Sequence, residues 1–161
     1  MKFRHIMIGA IVPTSLPKSW NATAVKILEQ RGVTNIELLR LLTHRQIETM
    51  DKMGPARATE IMDLCARQSV PLLHPSDSLK RRMSDVFGSP GKVPIIYLYC
   101  CGILNKQQHG ALMPDKVPTL DQLAVNIRQD PQRWQSITGG WPSITRSKVE
   151  GLLKDISLLK S

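Results

Sequence analysis

The side chains in this sequence best placed to do chemistry are cations, and the chemistry they offer is the holding of phosphate. Lys52 and Arg57 flank Gly54, and Lys26 precedes them on the first expected helix. Lys80, Arg81 and Arg82 are contiguous, and Arg146 and Lys148 follow the pair Gly139-Gly140. A fixed positive charge pairs with a phosphate oxygen and releases the counterion that sat there. Gly54 belongs with the cations for a different reason. A glycine-bearing bend between two short helices leaves backbone N–H groups exposed at the start of the second helix. Such groups bind a phosphate oxygen without reading base sequence. The plain alternatives are a solvated charged face and an αα-hairpin used only for packing.

Other chemistries find little support. There is no Walker loop, HExxH, GxSxG or dinucleotide fingerprint. His5, His44, His74 and His109 are scattered. Cys65 with His74, or Cys100-Cys101 with His109, lacks a zinc-type spacing and a fourth ligand. The carboxylates Asp63, Asp77 and Asp85 form no compact motif. No enzymatic activity, cofactor or metal is therefore expected. Trp134 and Trp141 lie across a turn, where core packing or a protein interface is the expected use ahead of base stacking.

The whole chain agrees with an anionic partner. In 161 residues, 22 Lys and Arg face 13 Asp and Glu, a formal charge of +9. The excess is uneven: +3 in residues 1–19, +1 in 20–70, +3 in 71–118 and +2 in 119–161. The length suits one domain or two small ones. Seven aromatic residues against many Leu, Ile, Val, Ala and Met favour packed helices over a β-rich core. Three cysteines are too few for a disulfide scaffold and fit a reducing cytoplasm. No apolar run reaches membrane-spanning length. Residues 6–12, IMIGAIV, read as a short buried strand or an apolar arm, because no small-x-small cleavage site follows them.

These cations need elements to hold them, and the pattern predicts helices. An N-terminal arm covers residues 1–19. Within 20–73, Ser19 or Asn21 caps a helix that stops at Gly32, and Thr34 or Asn35 caps a second. Thr43 with Gln46 has capping-box spacing for a third, and a fourth runs from Pro55 to Gln68. Residues 74–118, rich in Pro, Gly and Ser, read as a linker with one or two helical turns before residue 92; its apolar segment 93–104 fits a strand or a buried helix equally. In 119–161, Thr119 caps a helix and Asp130-Pro131 opens another. Ser143 or Thr145 starts a last one, with Lys148, Lys154 and Lys160 towards an end where cations suit the helix dipole.

Two segments share one grammar: a short helix, a second helix, a glycine turn and a closing helix. They are Asn35–Gln68, turning at Met53-Gly54-Pro55, and Thr119–Ile156, turning at Gly139-Gly140-Trp141-Pro142. Residues 20–73, which contain the first of these, resemble the C-terminal domain of the bacterial RNA polymerase α subunit. The resemblance is carried by Ala24-Val25-Lys26-Ile27-Leu28, Arg31-Gly32-Val33-Thr34-Asn35-Ile36-Glu37-Leu38-Leu39, Ile47, Met50, Met53-Gly54 and Ala58-Thr59-Glu60-Ile61. The second segment resembles it more loosely. The resemblance implies a small helical fold with a helix-hairpin-helix, a minor-groove contact with DNA and contacts with transcription factors. Thr23 stands where the family has its groove-reading Arg, and Lys26 where it has Asn. Pro55-Ala56-Arg57 replaces its Lys-Lys-Ser.

The expected architecture is thus mainly α, with two helix-hairpin-helix-like modules joined by a proline-rich connection. The expected function is DNA binding in the service of a bacterial, phage or plasmid transcriptional regulator. The contacts would be Lys26, Lys52, Gly54, Arg57, Lys80, Arg81, Arg82, Arg146 and Lys148. The alternative is a module that docks on RNA polymerase or another regulatory protein without touching DNA. No membrane partner is expected.

Overall fold

The computed structural model describes residues 14–115 and 117–160. The protein is mainly α-helical, with ten α-helices and two isolated β-bridges among the described residues. The apolar arm read in residues 6–12 lies outside them.

The first four helices lie where the capping residues predict. Asn21 accepts from the backbone N–H of Thr23 and Ala24 and so starts α1 (Ala22–Gln30), which buries Ala24, Ile27 and Leu28. That helix stops at Gly32, where φ is 84°. Val33 N–H donates to Leu28 O at 2.9 Å and Gly32 N–H to Glu29 O at 3.0 Å, the paired bonds of a Schellman stop. Asn35 caps α2 (Ile36–Leu39). Thr43 and Gln46 form the reciprocal capping box of α3 (His44–Glu48). Then α4 (Gly54–Arg67) follows the glycine turn and buries Ala58, Ile61 and Cys65 on one face.

The linker read in residues 74–118 is corrected by the structure. Ser78 caps α5 (Leu79–Phe87), which buries Met83, Val86 and Phe87 and stops at Gly88. A 3-10 turn at Pro90–Lys92 leads to Val93, Ile95 and then α6 (Tyr97–Cys100), all deeply buried at Val93, Tyr97, Leu98 and Cys100. Asn105 and Gln108 close a capping box on α7 (Lys106–Leu112). The prolines, glycines and serines that looked like a flexible connection are the starts and stops of short helices. The apolar segment 93–104 is a bridge residue followed by a helix.

Thr119 caps α8 (Leu120–Gln129) and Asp130 caps α9 (Pro131–Thr138). The last helix is α10 (Ser143–Asp155), with Val149 and Leu153 buried. One apolar cluster runs from Leu16 and Trp20 through Tyr97 and Leu98 to Leu153 and Ile156. The two expected modules therefore share a core, and the middle of the chain fills it.

The internal repeat is longer than its sequence outline. Ser15 bridges Asn35, and Ile36 N–H donates to Thr14 O; Pro94 bridges Thr119, and Leu120 N–H donates to Val93 O. Asn21 and Asn105 cap corresponding helices, and Leu28 with Leu112, and Val33 with Val117, are buried in the same order. Asn21/Asn105, Leu28/Leu112, Val33/Val117 and Asn35/Thr119 all keep the same 84-residue offset. Downstream, α4 and α10 end alike: Ser69 and Ser157 are left-handed, and Val70 and Leu158 donate back to Cys65 O and Leu153 O. Two copies of one arrangement thus span residues 15–70 and 94–158, with α5 between them.

Candidate nucleic-acid interface

Three of the expected cations meet. Lys26 on α1, Lys52 in the turn and Arg57 in the first turn of α4 line one cleft with Thr23, Ile27 and Gln30, about 250 Å³ in volume. Thr23, Lys26 and Gln30 fall at i, i+3 and i+7, so one face of α1 forms its wall. The Arg57 guanidinium donates to Lys52 O at 3.3 Å, folding the arginine back over the turn.

The backbone of that turn is unusual. Lys52 has φ 68° and Gly54 has φ 72°. A non-glycine residue in this region costs about 1 kcal/mol or more, and Gly54 avoids that cost at the second position. Apart from its chain neighbours and its own helix backbone, no heavy atom of the described residues lies within 4 Å of where a Cβ on Gly54 would stand, so the turn is open in front. The helix behind it has no side-chain cap at Met53. Seven helices, α1, α2, α3, α5, α7, α8 and α9, are capped by an Asn, Thr, Ser or Asp side chain. The two long helices that follow the glycine turns, α4 and α10, are not. The first turn of α4 therefore presents N–H groups and a partial positive charge among three cations.

The remaining expected residues fare differently. Lys80 reaches across to the end of α10, where its ammonium donates to Ser157 Oγ at 2.9 Å. Arg81 is exposed on α5. Arg82 is occupied inside the fold: its Nη1 donates to Arg40 O at 2.6 Å and Pro71 O at 2.8 Å, and its Nη2 lies 3.5 Å from Asp77. Arg146 donates to Glu150 at 3.0 Å, and the same carboxylate accepts from Trp134 Nε1 at 2.7 Å. Burial pushes the Glu150 pKa up, but those two hydrogen bonds and the charges of Arg146 and Lys154 outweigh it and hold the pKa below its ordinary value. Lys148 is exposed on α10. Trp134 and Trp141 meet edge to face at 5.8 Å.

The second copy has no equivalent of the cationic cleft. With α1 matched to α7 by their caps, Lys26 corresponds to Gly110. With α4 matched to α10 by their left-handed serines, Lys52 and Arg57 correspond to Gly140 and Thr145. What sequence reasoning missed is Gln30, although its helical spacing from Lys26 was legible; Thr23 is legible there only as the replacement for the family's groove-reading Arg. Among the described residues, no set of three or more His, Cys, Asp or Glu converges on a point that could hold a metal ion. No helix among them is long and apolar enough to cross a membrane.

No protein-family model, curated protein or solved structure matches this chain. Its functional reading rests on its own geometry.

Proposed function

We propose that this chain is a cytoplasmic DNA-binding protein of transcriptional regulation that grips the duplex backbone at the start of α4. The observation that carries the reading is the cleft in which Lys26, Lys52 and Arg57 surround an uncapped helix start behind an open glycine. Charge-assisted hydrogen bonds from the cations and N–H groups of the first turn would hold one or two phosphates. Contacts of this kind go to the phosphates and carry no sequence information, so the grip would be independent of sequence. A fluorescence anisotropy titration with a short duplex at low salt tests it. The expected result is binding that weakens several-fold in Lys26→Gln and Arg57→Gln, with unchanged melting temperatures.

A second reading has its own observation. The exposed Met62 lies beside Cys65, Ala66, Val70 and Leu72 in an apolar groove of about 580 Å³ at the far end of α4. Such a groove suits a hydrophobic segment of another protein, as expected of a module that docks on RNA polymerase or another regulator. Absence of duplex binding at low salt, together with saturable binding to purified polymerase lost in Met62→Lys, would favour it over the first.

A further inference from the structure

The end of the second copy carries a basic groove that the sequence did not announce. Arg128, Lys154, Ser157 and Lys160, with Leu158 and Leu159, line a groove of about 570 Å³. Lys80 joins it from α5 through its 2.9 Å bond to Ser157 Oγ. The Arg128 guanidinium donates to Leu158 O at 2.6 Å, which fixes that arginine at the rim. Three cations from α8, α10 and the segment after it thus line the groove, Lys80 reaches its serine from α5, and no carboxylate is among its described lining residues.

The first copy shows that the fold does not require this charge. Matched through Ser69 and Ser157, the positions of Lys154, Leu158, Leu159 and Lys160 correspond to Ala66, Val70, Pro71 and Leu72. Those four line the apolar groove at the end of α4. At these four positions the first copy carries no charge and the second carries two lysines, although Arg45, His44 and His74 also line the first copy's groove. The hairpin cleft shows the reverse: Lys26, Lys52 and Arg57 in the first copy, Gly110, Gly140 and Thr145 in the second.

We infer that the groove of Lys80, Arg128, Lys154 and Lys160 is a second phosphate-backbone contact for DNA. This deepens the reading proposed for the α4 cleft and rests on it. A helix C-terminus carries about half a negative charge and would repel a phosphate on its own. Four full positive charges outweigh it, and the carbonyls of Leu152, Leu153 and Lys154 already accept from backbone N–H groups beyond the helix. Each copy thus supplies one grip, at opposite ends of its closing helix. Two linked grips on one duplex raise affinity beyond either alone.

The test is the salt dependence of duplex binding by the full chain, with Lys154→Gln/Lys160→Gln and Lys26→Gln/Arg57→Gln measured side by side. Each lost phosphate contact lowers the slope of log Kd against log salt by about 0.9. The expected result is a slope reduced by about two contacts in the first double variant, with an unchanged melting temperature, and retained in Lys154→Arg/Lys160→Arg. A slope unchanged in Lys154→Gln/Lys160→Gln but reduced in Lys26→Gln/Arg57→Gln overturns the groove and leaves the cleft standing. The opposite pattern supports the groove and removes the cleft. Failure of the parent chain to bind any duplex at low salt overturns both.

Discussion

Ser69 and Ser157 hold the same left-handed position beyond α4 and α10, with φ of 56° and 65°. Each is followed by an apolar residue whose N–H returns to the helix, Val70 to Cys65 O and Leu158 to Leu153 O, both at 2.8 Å. Glycine is the residue that this position favours. Ser157 has a use for its hydroxyl, which accepts from Lys80.

Ser69→Gly is expected to stabilise the protein by at most about 1 kcal/mol, since relief of the left-handed strain is partly offset by the extra backbone entropy glycine loses on folding. Ser157→Gly should gain less, because the Lys80 bond goes with the hydroxyl. Urea unfolding of the two variants measures the difference.

Gly32 is held by two constraints at once. Its φ is 84°, and a Cβ there would stand 2.7 Å from Ile96 Cγ1. Gly32→Ala is expected to cost about 1–3 kcal/mol. Gly140 has a φ outside the left-handed region and open space around it. Thermal unfolding should therefore show Gly140→Ala close to the parent and Gly32→Ala well below it.

Arg82 is a strut. Its guanidinium joins carbonyls of Arg40 and Pro71 from two different loops. Arg82→Ala should lower unfolding free energy by about 2 kcal/mol, the scale of charged hydrogen bonds left unmade. Arg82→Lys should rescue little, since one ammonium cannot reproduce the fork. Duplex affinity, measured where the variant remains folded, should change far less than in Arg57→Gln.

Glu150 sets a pH dependence. Its folded pKa lies below the ordinary 4.5 because Trp134 and Arg146 stabilise the carboxylate against its burial. A depressed folded pKa contributes stability above the unfolded value, and that stability is lost as pH falls through the folded pKa. Melting temperatures of the parent and Glu150→Gln should differ at pH 7 and converge in the acid range. A gap that persisted at low pH would show that the ion pair is not its source.

The helices were legible because their punctuation is local. Asn35, Thr43, Thr119 and Asp130 cap the helices they were expected to cap, since the bonds join residues three apart. The same punctuation misled in residues 74–118. There Ser78, Gly88 and Asn105 bound helices as long as those read correctly elsewhere, but they stand among prolines and glycines that read as a connection. The meeting of Lys26 with Lys52 and Arg57 follows from a glycine turn and one helix face, so it was half visible. The roles of Arg82 and Arg146 were not. Their partners, Arg40 O, Pro71 O and the Trp134-bonded Glu150, are fixed by tertiary packing. The true length of the repeat was hidden because Asn21 and Asn105 begin helices of different sequence, and only the shared bridges and stops reveal their equivalence.

The grip of the α4 cleft on DNA is tested most directly by backbone amide chemical shifts of the labelled protein as a short duplex is added at low salt. The amides of Gly54, Ala56 and Arg57 should move first and furthest, with the movement reversed by added salt and absent in Arg57→Gln. Shifts confined to other surfaces, with these three amides unmoved at saturation, would contradict it.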